Sequence, residues 1–271
     1  MGRIKPRQLG PENFGIRHIC LISPMPVFLS GKRPGKWELQ VKEFIRKRYG
    51  SLISSNGFPP GGTERSVRDG YPQKLLDKFP KEITDSYCGC GFPFKSIDFS
   101  DTQTVVDLGC GVGLDTMILS DFLKNNGKII ALDFTIPMVK KVKDNAKRYG
   151  KKNVLAVSGD MEKIPLKDEF ADLLFANASF NLTVKKENAF REAYRILKPG
   201  GKLVLRELAR RNSLPVEIEY DPGAWNASLG GVVSETDWLD ILTIAGFEDI
   251  QISDQKSFHP VISLKIEALK K

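Results

Sequence analysis

The sequence predicts an α/β fold, a mostly parallel sheet with helices on both faces, preceded by a basic extension of helices and irregular chain. Three observations predict it. From residue 104 onward, strand-like runs alternate with helical patterns, as parallel strands joined by right-handed crossovers require. The first run leads through Gly109, Gly111 and Gly113 straight into an apolar helical face. The second run ends on Asp133, twenty residues after Gly113, where nucleotide-binding α/β units keep an acid for ribose hydroxyls.

Each element has its own warrant. Residues 104–106 are β-branched and suit a core strand, which Asp107 ends. The three glycines let the backbone turn tightly and approach a ligand. Met117, Ile118, Leu119, Phe122 and Leu123 form the apolar face of the next helix. Strands follow at 127–133, 154–157 and 170–175, with a helix at 138–149 whose outer face is basic. Asn177 to Leu182 form the loop at the carboxyl end of the fourth strand, where open α/β sheets bind ligands. A helix at 188–197 stops at Lys198-Pro199-Gly200-Gly201, since glycine caps it and proline blocks its continuation. The strand at 203–205 delivers Arg206 and Glu207. Residues 211–231 read as a long loop covering the substrate side, followed by a helix at 235–245 and strands at 250–253 and 261–268. Upstream, residues 1–36 read as an arm and 37–52 as a helix, with Lys42, Arg46, Lys47 and Arg48 opposite its apolar face. Residues 55–72 read as loop and 73–79 as a short helix.

Of the 271 residues, 41% are hydrophobic and 27% charged, the balance of a globular protein. No run reaches the roughly 18 apolar residues of a membrane helix. The nearest, 19–29, is broken by Pro24 and Pro26 and lacks a small-residue cleavage site, so it reads as an ordered arm or contact strip. A cytoplasmic location is the default expectation. Four cysteines do not make a disulfide framework, Cys88-Gly89-Cys90 offers too few ligands for zinc, and His18 and His259 stand at opposite ends. Residues 1–100 carry 17 Lys/Arg against 9 Asp/Glu, and residues 101–271 carry 24 against 24, so the first hundred hold the whole net charge of +8. This suggests a basic N-terminal arm and helical cap at 1–100 and a ligand-binding domain at 101–271. The excess serves either an anionic partner (nucleic acid, an acidic membrane surface or an anionic substrate) or plain solubility.

The glycine spacing selects the ligand. A dinucleotide loop needs a third glycine at 114 or 116, and Leu114 and Thr116 stand there. What is present, D-x-G-x-G-x-G at 107–113, together with Asp133, Gly159-Asp160-Met161 and Leu197-Lys198-Pro199-Gly200-Gly201, resembles the class I S-adenosyl-L-methionine (SAM)-dependent methyltransferases over roughly residues 85–255. The resemblance implies their Rossmann-like sheet, SAM as cofactor and S-adenosyl-L-homocysteine (SAH) as product. It implies a cofactor site made of Asp107, Gly109, Cys110, Gly111, Gly113, Asp115, Asp133, Phe134, Gly159, Asp160, Met161 and Asn177, with Asp160 toward the adenine amino group and Met161 on the ring. Within that superfamily the chain is most similar to the arsenite methyltransferase-like group, through Gly89-Cys90-Gly91 and Pro93, Gly113-Leu114-Asp115, Asn177 with Asn181-Leu182, and Gly230-Gly231. That group holds arsenic with several thiolates. Here Ala178 replaces one family cysteine, Ser228-Leu229 stand in the place of another, and only Cys90 matches. Arsenite is therefore not the expected acceptor.

The resemblance implies in-line displacement of a methyl group, in which the protein aligns the reactants and excludes water. A hydroxyl or carbon acid also needs a base. Glu207 is the candidate base, with Asn177 and Asn181 orienting the substrate; alternatively Glu207 simply pairs with Arg206 or Arg210. Tyr49 either closes over the cofactor or packs as an ordinary core residue. Three functions follow: methyl transfer to a small molecule, methyl transfer to RNA or protein gripped by the basic segment, or SAM binding without catalysis.

Overall fold

The computed structural model describes residues 36–55, 57–95, 97–123 and 127–271. The expected arm, with the 19–29 strip, His18 and Cys20, lies outside them. Eight strands form one sheet: β1 (Thr104–Leu108), β2 (Lys128–Asp133), β3 (Val154–Ser158), β4 (Ala171–Asn177), β5 (Leu197–Arg210), β6 (Val233–Ser234), β7 (Glu248–Phe258) and β8 (Val261–Leu269). Their order is β3-β2-β1-β4-β5-β8-β7, with β6 paired to the far end of β5. The β1, β2, β3, β4 and β5 pairings are parallel, and β8 runs antiparallel to β5 and to β7. The order reverses at β1 and β4, so a crevice opens at their carboxyl ends, the place where such sheets bind ligands.

Helices cover both faces. On one side α5 (Leu114–Phe122) and α6 (Ile136–Arg148) pack with the short helices α3 (Gln73–Leu76) and α4 (Lys81–Thr84) around Met117, Ile118, Val142, Leu76 and Ile83. On the other, α7 (Lys186–Ile196) and α10 (Glu235–Ala245) bring Phe190, Ile196, Trp238 and Leu242 onto the sheet. Phe180 stacks on Phe190 at 4.3 Å. The buried Trp238 indole donates to the Leu208 carbonyl at 3.1 Å, which spares it an unpaired polar group. The α10 helix starts on a Ser234–Asp237 capping box and ends on Gly246 in the left-handed conformation.

Several elements exceed the expectation. The segment 55–72, expected as loop, contains α2 (Gly62–Arg68), where Gly62 lies so close to Asp85 that a Cβ would sit 2.1 Å from its carbonyl oxygen. The long loop expected at 211–231 contains α8 (Val216–Tyr220) and α9 (Pro222–Asn226), the latter capped by the Asp221 carboxylate. Asp107 does not end β1 but lies within it, because Thr116 satisfies its carboxylate in the interior. The Pro-Gly-Gly turn is absorbed into the start of β5 through a register shift.

The remaining helix, α1 (Trp37–Ser54), packs Trp37, Val41 and Ile45 against Trp225 of α9 and Val184. Trp37 meets Trp225 edge-on at 5.5 Å and donates to the Tyr220 carbonyl at 2.9 Å. Residues 35–271 thus cluster as one unit.

Candidate active site

The crevice above β1 and β4 is a cleft of about 1150 Å³, its open mouth included. Its floor is the turn after β1. Gly109 and Cys110 both donate backbone N–H bonds to the Leu132 carbonyl, at 2.8 and 3.0 Å, which pins the turn to β2. Gly109 has φ +85°, and a Cβ there would lie 2.5 Å from the Ser179 Cβ. Ser179 cannot yield easily, since its hydroxyl donates to the Leu108 carbonyl at 2.6 Å. Gly109→Ala is accordingly expected to destabilise the fold by about 1–3 kcal/mol and to weaken SAH binding at least about ten-fold. Thermal unfolding and calorimetry check the two effects separately.

The Asp133 carboxylate closes the next turn. It accepts the Gly111 amide at 2.9 Å and the Thr135 amide at 2.7 Å. Burial raises its pKa, and these amides oppose the rise. Asp107, beneath, is pushed well up by burial and by the charges of Asp115 and Asp133, against the Thr116 bond. Asp115, at the start of α5, accepts the Tyr71 hydroxyl at 2.5 Å and the Asn177 amide at 2.9 Å. Burial moves it up to about 6, with both bonds pulling the other way.

Among the described residues lining the cleft, five are carboxylates (Asp107, Asp115, Asp133, Asp160 and Glu162) and one, Lys42, is a cation. Such a lining favours a ligand with positive charge and hydroxyl donors. SAM, with its sulfonium, ammonium and ribose hydroxyls, fits it, and the close-packed glycine turn gives its backbone-side groups room.

Most of the expected cofactor residues line this one cleft: Asp107, Gly109, Cys110, Gly111, Gly113, Asp115, Asp133, Phe134, Asp160, Met161 and Asn177. Gly159 does not line it. It packs on the far side, where a Cβ would meet Pro165 at 2.7 Å. The three residues expected to do chemistry stand differently from the expectation. Glu207 is fully buried and outside the lining. Its carboxylate accepts the amides of Ser179, Phe180 and Asn181 at 2.9, 2.8 and 3.3 Å, so it holds the loop after β4 from below. It pairs with neither Arg206 nor Arg210: Arg206 bonds Asp254, and Arg210 reaches Glu219 and Asp237. Asn181 is also buried, its amide donating to the Ser228 carbonyl at 3.0 Å. Asn177 does line the cleft, but its side chain is committed. It donates to Tyr71, Gly91 and Asp115 and accepts the Cys90 amide at 2.9 Å. It joins the Gly89–Gly91 turn to the cofactor loop.

The other wall comes from chain before the sheet: Lys42, Ile45 and Tyr49 of α1, then Phe58, Ser86, Tyr87, Cys88 and Gly89. Of these the sequence offered only Tyr49 as a residue closing over the cofactor. Lys42, expected on the solvated face of α1, instead turns inward onto Asp160 and Glu162, at 2.6 and 2.7 Å. Arg46 lies over the Phe134 ring at 4.3 Å, on the same rim. Burial lifts the Tyr49 pKa to about 12. Positions 90, 178 and 229 meet in one small cluster with Leu208, Val232 and Val261. Cys90 is buried there, and burial raises its thiol pKa far above normal. Ala178 and Ser228 both hold positive φ, +56° and +63°, so these two residues sit on sharp turns.

Fold, glycine turn and carboxylate placement together define the class. Residues 99–246 match the methyltransferase domain family, and the chain belongs to it. The chain is 28% identical over 241 residues to the arsenite methyltransferase of Halobacterium salinarum, covering 83% of this chain and 61% of that one. It is 29% identical to the human arsenite methyltransferase, covering 77% and 57%. It thus spans about six-tenths of the length of these relatives. A SAM-dependent arsenic(III) methyltransferase from Chlamydomonas reinhardtii shares the fold with a TM-score of 0.59 at 24% identity, covering 79% and 74% of the two chains. A phosphoethanolamine N-methyltransferase of Haemonchus contortus, solved with SAH, does so with 0.54 at 14% identity, covering 65% and 50%.

Proposed function

We propose that this protein transfers a methyl group from SAM to a small-molecule acceptor other than arsenite, bound between the glycine turn and α1. The observation that carries the proposal is the acceptor wall. Where the resemblance calls for a cluster of thiols, this chain has Ala178 and Ser228, and its one matching cysteine, Cys90, is buried outside the cleft lining. A single protonated thiol does not make the several-thiolate site that soft arsenic needs. In this proposal residues 1–100 contain the acceptor-side cap and residues 101–271 the cofactor domain.

Bound SAM supplies an electrophilic methyl on a positively charged sulfur. Asp133, fixed by two amides, presents its remaining lone pairs to ribose hydroxyls. Asp160 and Met161 receive the adenine, and Asp115 sets a negative potential under the cationic methionine end. Ile45, Tyr49, Phe58 and Leu182 exclude water from the acceptor side. Tyr49, with its pKa near 12, stays a neutral phenol at neutral pH and donates or accepts a hydrogen bond without taking a proton. Glu207 is occupied by three amides and acts as a positioning residue. The lining therefore suits a nucleophile with a free lone pair, a soft atom or an amine, which needs no base.

Calorimetry with SAH tests the cofactor half: the wild type binds, and Asp133→Ala binds at least about ten-fold more weakly. Unchanged binding in that variant would remove Asp133 from the site. Transfer of labelled methyl from SAM into fractionated extract tests the acceptor. Label is expected in the small-molecule fraction, whereas label in RNA or protein, or turnover with arsenite alone, contradicts the proposal.

A further inference from the structure

We infer that Lys42 of α1 is a positioning residue for cofactor selection, holding the Asp160 carboxylate aimed so that the cleft distinguishes a 6-amino purine from a 6-oxo purine. The inference rests on the proposal that Asp160 faces the adenine.

Lys42 Nζ sits between two carboxylates far away in sequence, 2.6 Å from Asp160 Oδ2 and 2.7 Å from Glu162 Oε2. All three side chains line the cleft. The other oxygen of each carboxylate is already held. Asp160 Oδ1 accepts the Glu162 amide at 2.9 Å, and Glu162 Oε1 accepts the amides of Val184 and Lys185 at 3.1 and 3.0 Å. The carboxylates therefore cannot swing, and the ammonium fixes which lone pairs remain toward the cleft. A carboxylate oxygen held in one direction accepts from a purine amino group and repels a purine carbonyl. Asp160 and Glu162 are 31% and 10% exposed, so the ammonium that joins them is only partly screened.

A second tie, from α1 to the residue that starts α7, provides the control. Lys185 Nζ pairs with Glu38 at 2.8 Å, outside the cleft lining, with both side chains close to half exposed. Losing that pair loosens α1 without touching Asp160.

The test is binding of SAH and of its deaminated analogue, S-inosylhomocysteine, to wild type, Lys42→Met, Lys42→Arg and Lys185→Met, each first checked for wild-type-like thermal unfolding. The wild type is expected to prefer SAH. Lys42→Met is expected to bind SAH about ten-fold more weakly, the order of one charge-assisted hydrogen bond, with little change for the inosyl analogue, so the preference collapses. Lys42→Arg and Lys185→Met retain it. If Lys42→Met keeps the full preference, or Lys185→Met loses as much of it, closure of α1 rather than Lys42 is responsible and the inference fails. If the wild type itself shows no preference, the Asp160 assignment fails first and the inference goes with it.

Discussion

Replacing Glu207 with alanine is expected to lower the unfolding free energy by about 3–5 kcal/mol, more than any other single change around the cleft. Three buried amides, those of Ser179, Phe180 and Asn181, would lose their acceptor together, and each stranded donor costs about 1–3 kcal/mol. The charge on Glu207 has an opposite side. Burial lifts its pKa from 4.5 to about 7, while the three amides and Lys186 hold it down. The folded chain therefore binds this proton more tightly than the unfolded chain does. The stability it contributes is complete below pH 4.5 and is lost as pH rises through about 7. Asp115, raised from 3.8 to about 6, adds a dependence of the same sign at lower pH. Asp107 and Asp133, also raised by burial, add dependences of the same sign, so the share of Glu207 is read as a difference. Urea unfolding between about pH 6 and about pH 7 should show wild-type stability falling with pH and Glu207→Gln falling less steeply. A Gln variant with the wild-type slope would mean that another group titrates. Methyl transfer by Glu207→Gln, if retained, separates the positioning role from that of a base.

Affinity for SAH is expected to fall as pH drops below about 6, and this dependence is expected to vanish in Asp115→Asn. Asp115 lines the cleft and titrates near 6 in the free protein. A ligand carrying an ammonium favours the ionised carboxylate, so binding expels the proton, and affinity declines up to about ten-fold per pH unit below that value. This sign is opposite to that for stability, because the ligand prefers the form that folding disfavours. At neutral pH the Asn variant should bind at least about ten-fold more weakly. Tyr71→Phe sharpens the assignment. The Tyr71 bond pulls the Asp115 pKa down, so its loss should move the midpoint above 6 while Asp115 stays in place. Calorimetry across this range decides the matter, and a flat wild-type profile would take Asp115 away from the ammonium.

The cofactor side was legible because it is local. A strand, a glycine turn and a helix follow one another at 104–122, and Asp133 and Asp160 each close a strand of a regular α/β repeat. Such features are written within a few residues of one another. The acceptor side is assembled across long separations and was not legible. Nothing around Lys42 marks it as different from Arg46 or Lys47, which share its helix, and only the fold sets it against Asp160. Tyr71 reaches Asp115 and Asn177 from a short connection after α2, with no periodicity to reveal it. Glu207 shows the converse. Its place at the end of a strand suggested chemistry, but β5 continues past it to Arg210, so it lies inside the sheet beneath the loop it supports. The short helices at 62–68, 216–220 and 222–226 escaped notice because they are one or two turns long and are fixed by tertiary contacts rather than by propensity.

The family match begins at residue 99, yet eight of the cleft-lining residues, from Lys42 to Gly89, precede it. The wall that faces the glycine turn is thus laid down before the matched domain begins, so a fragment cut at residue 99 would keep the turn and lose the eight residues that line the cleft opposite it.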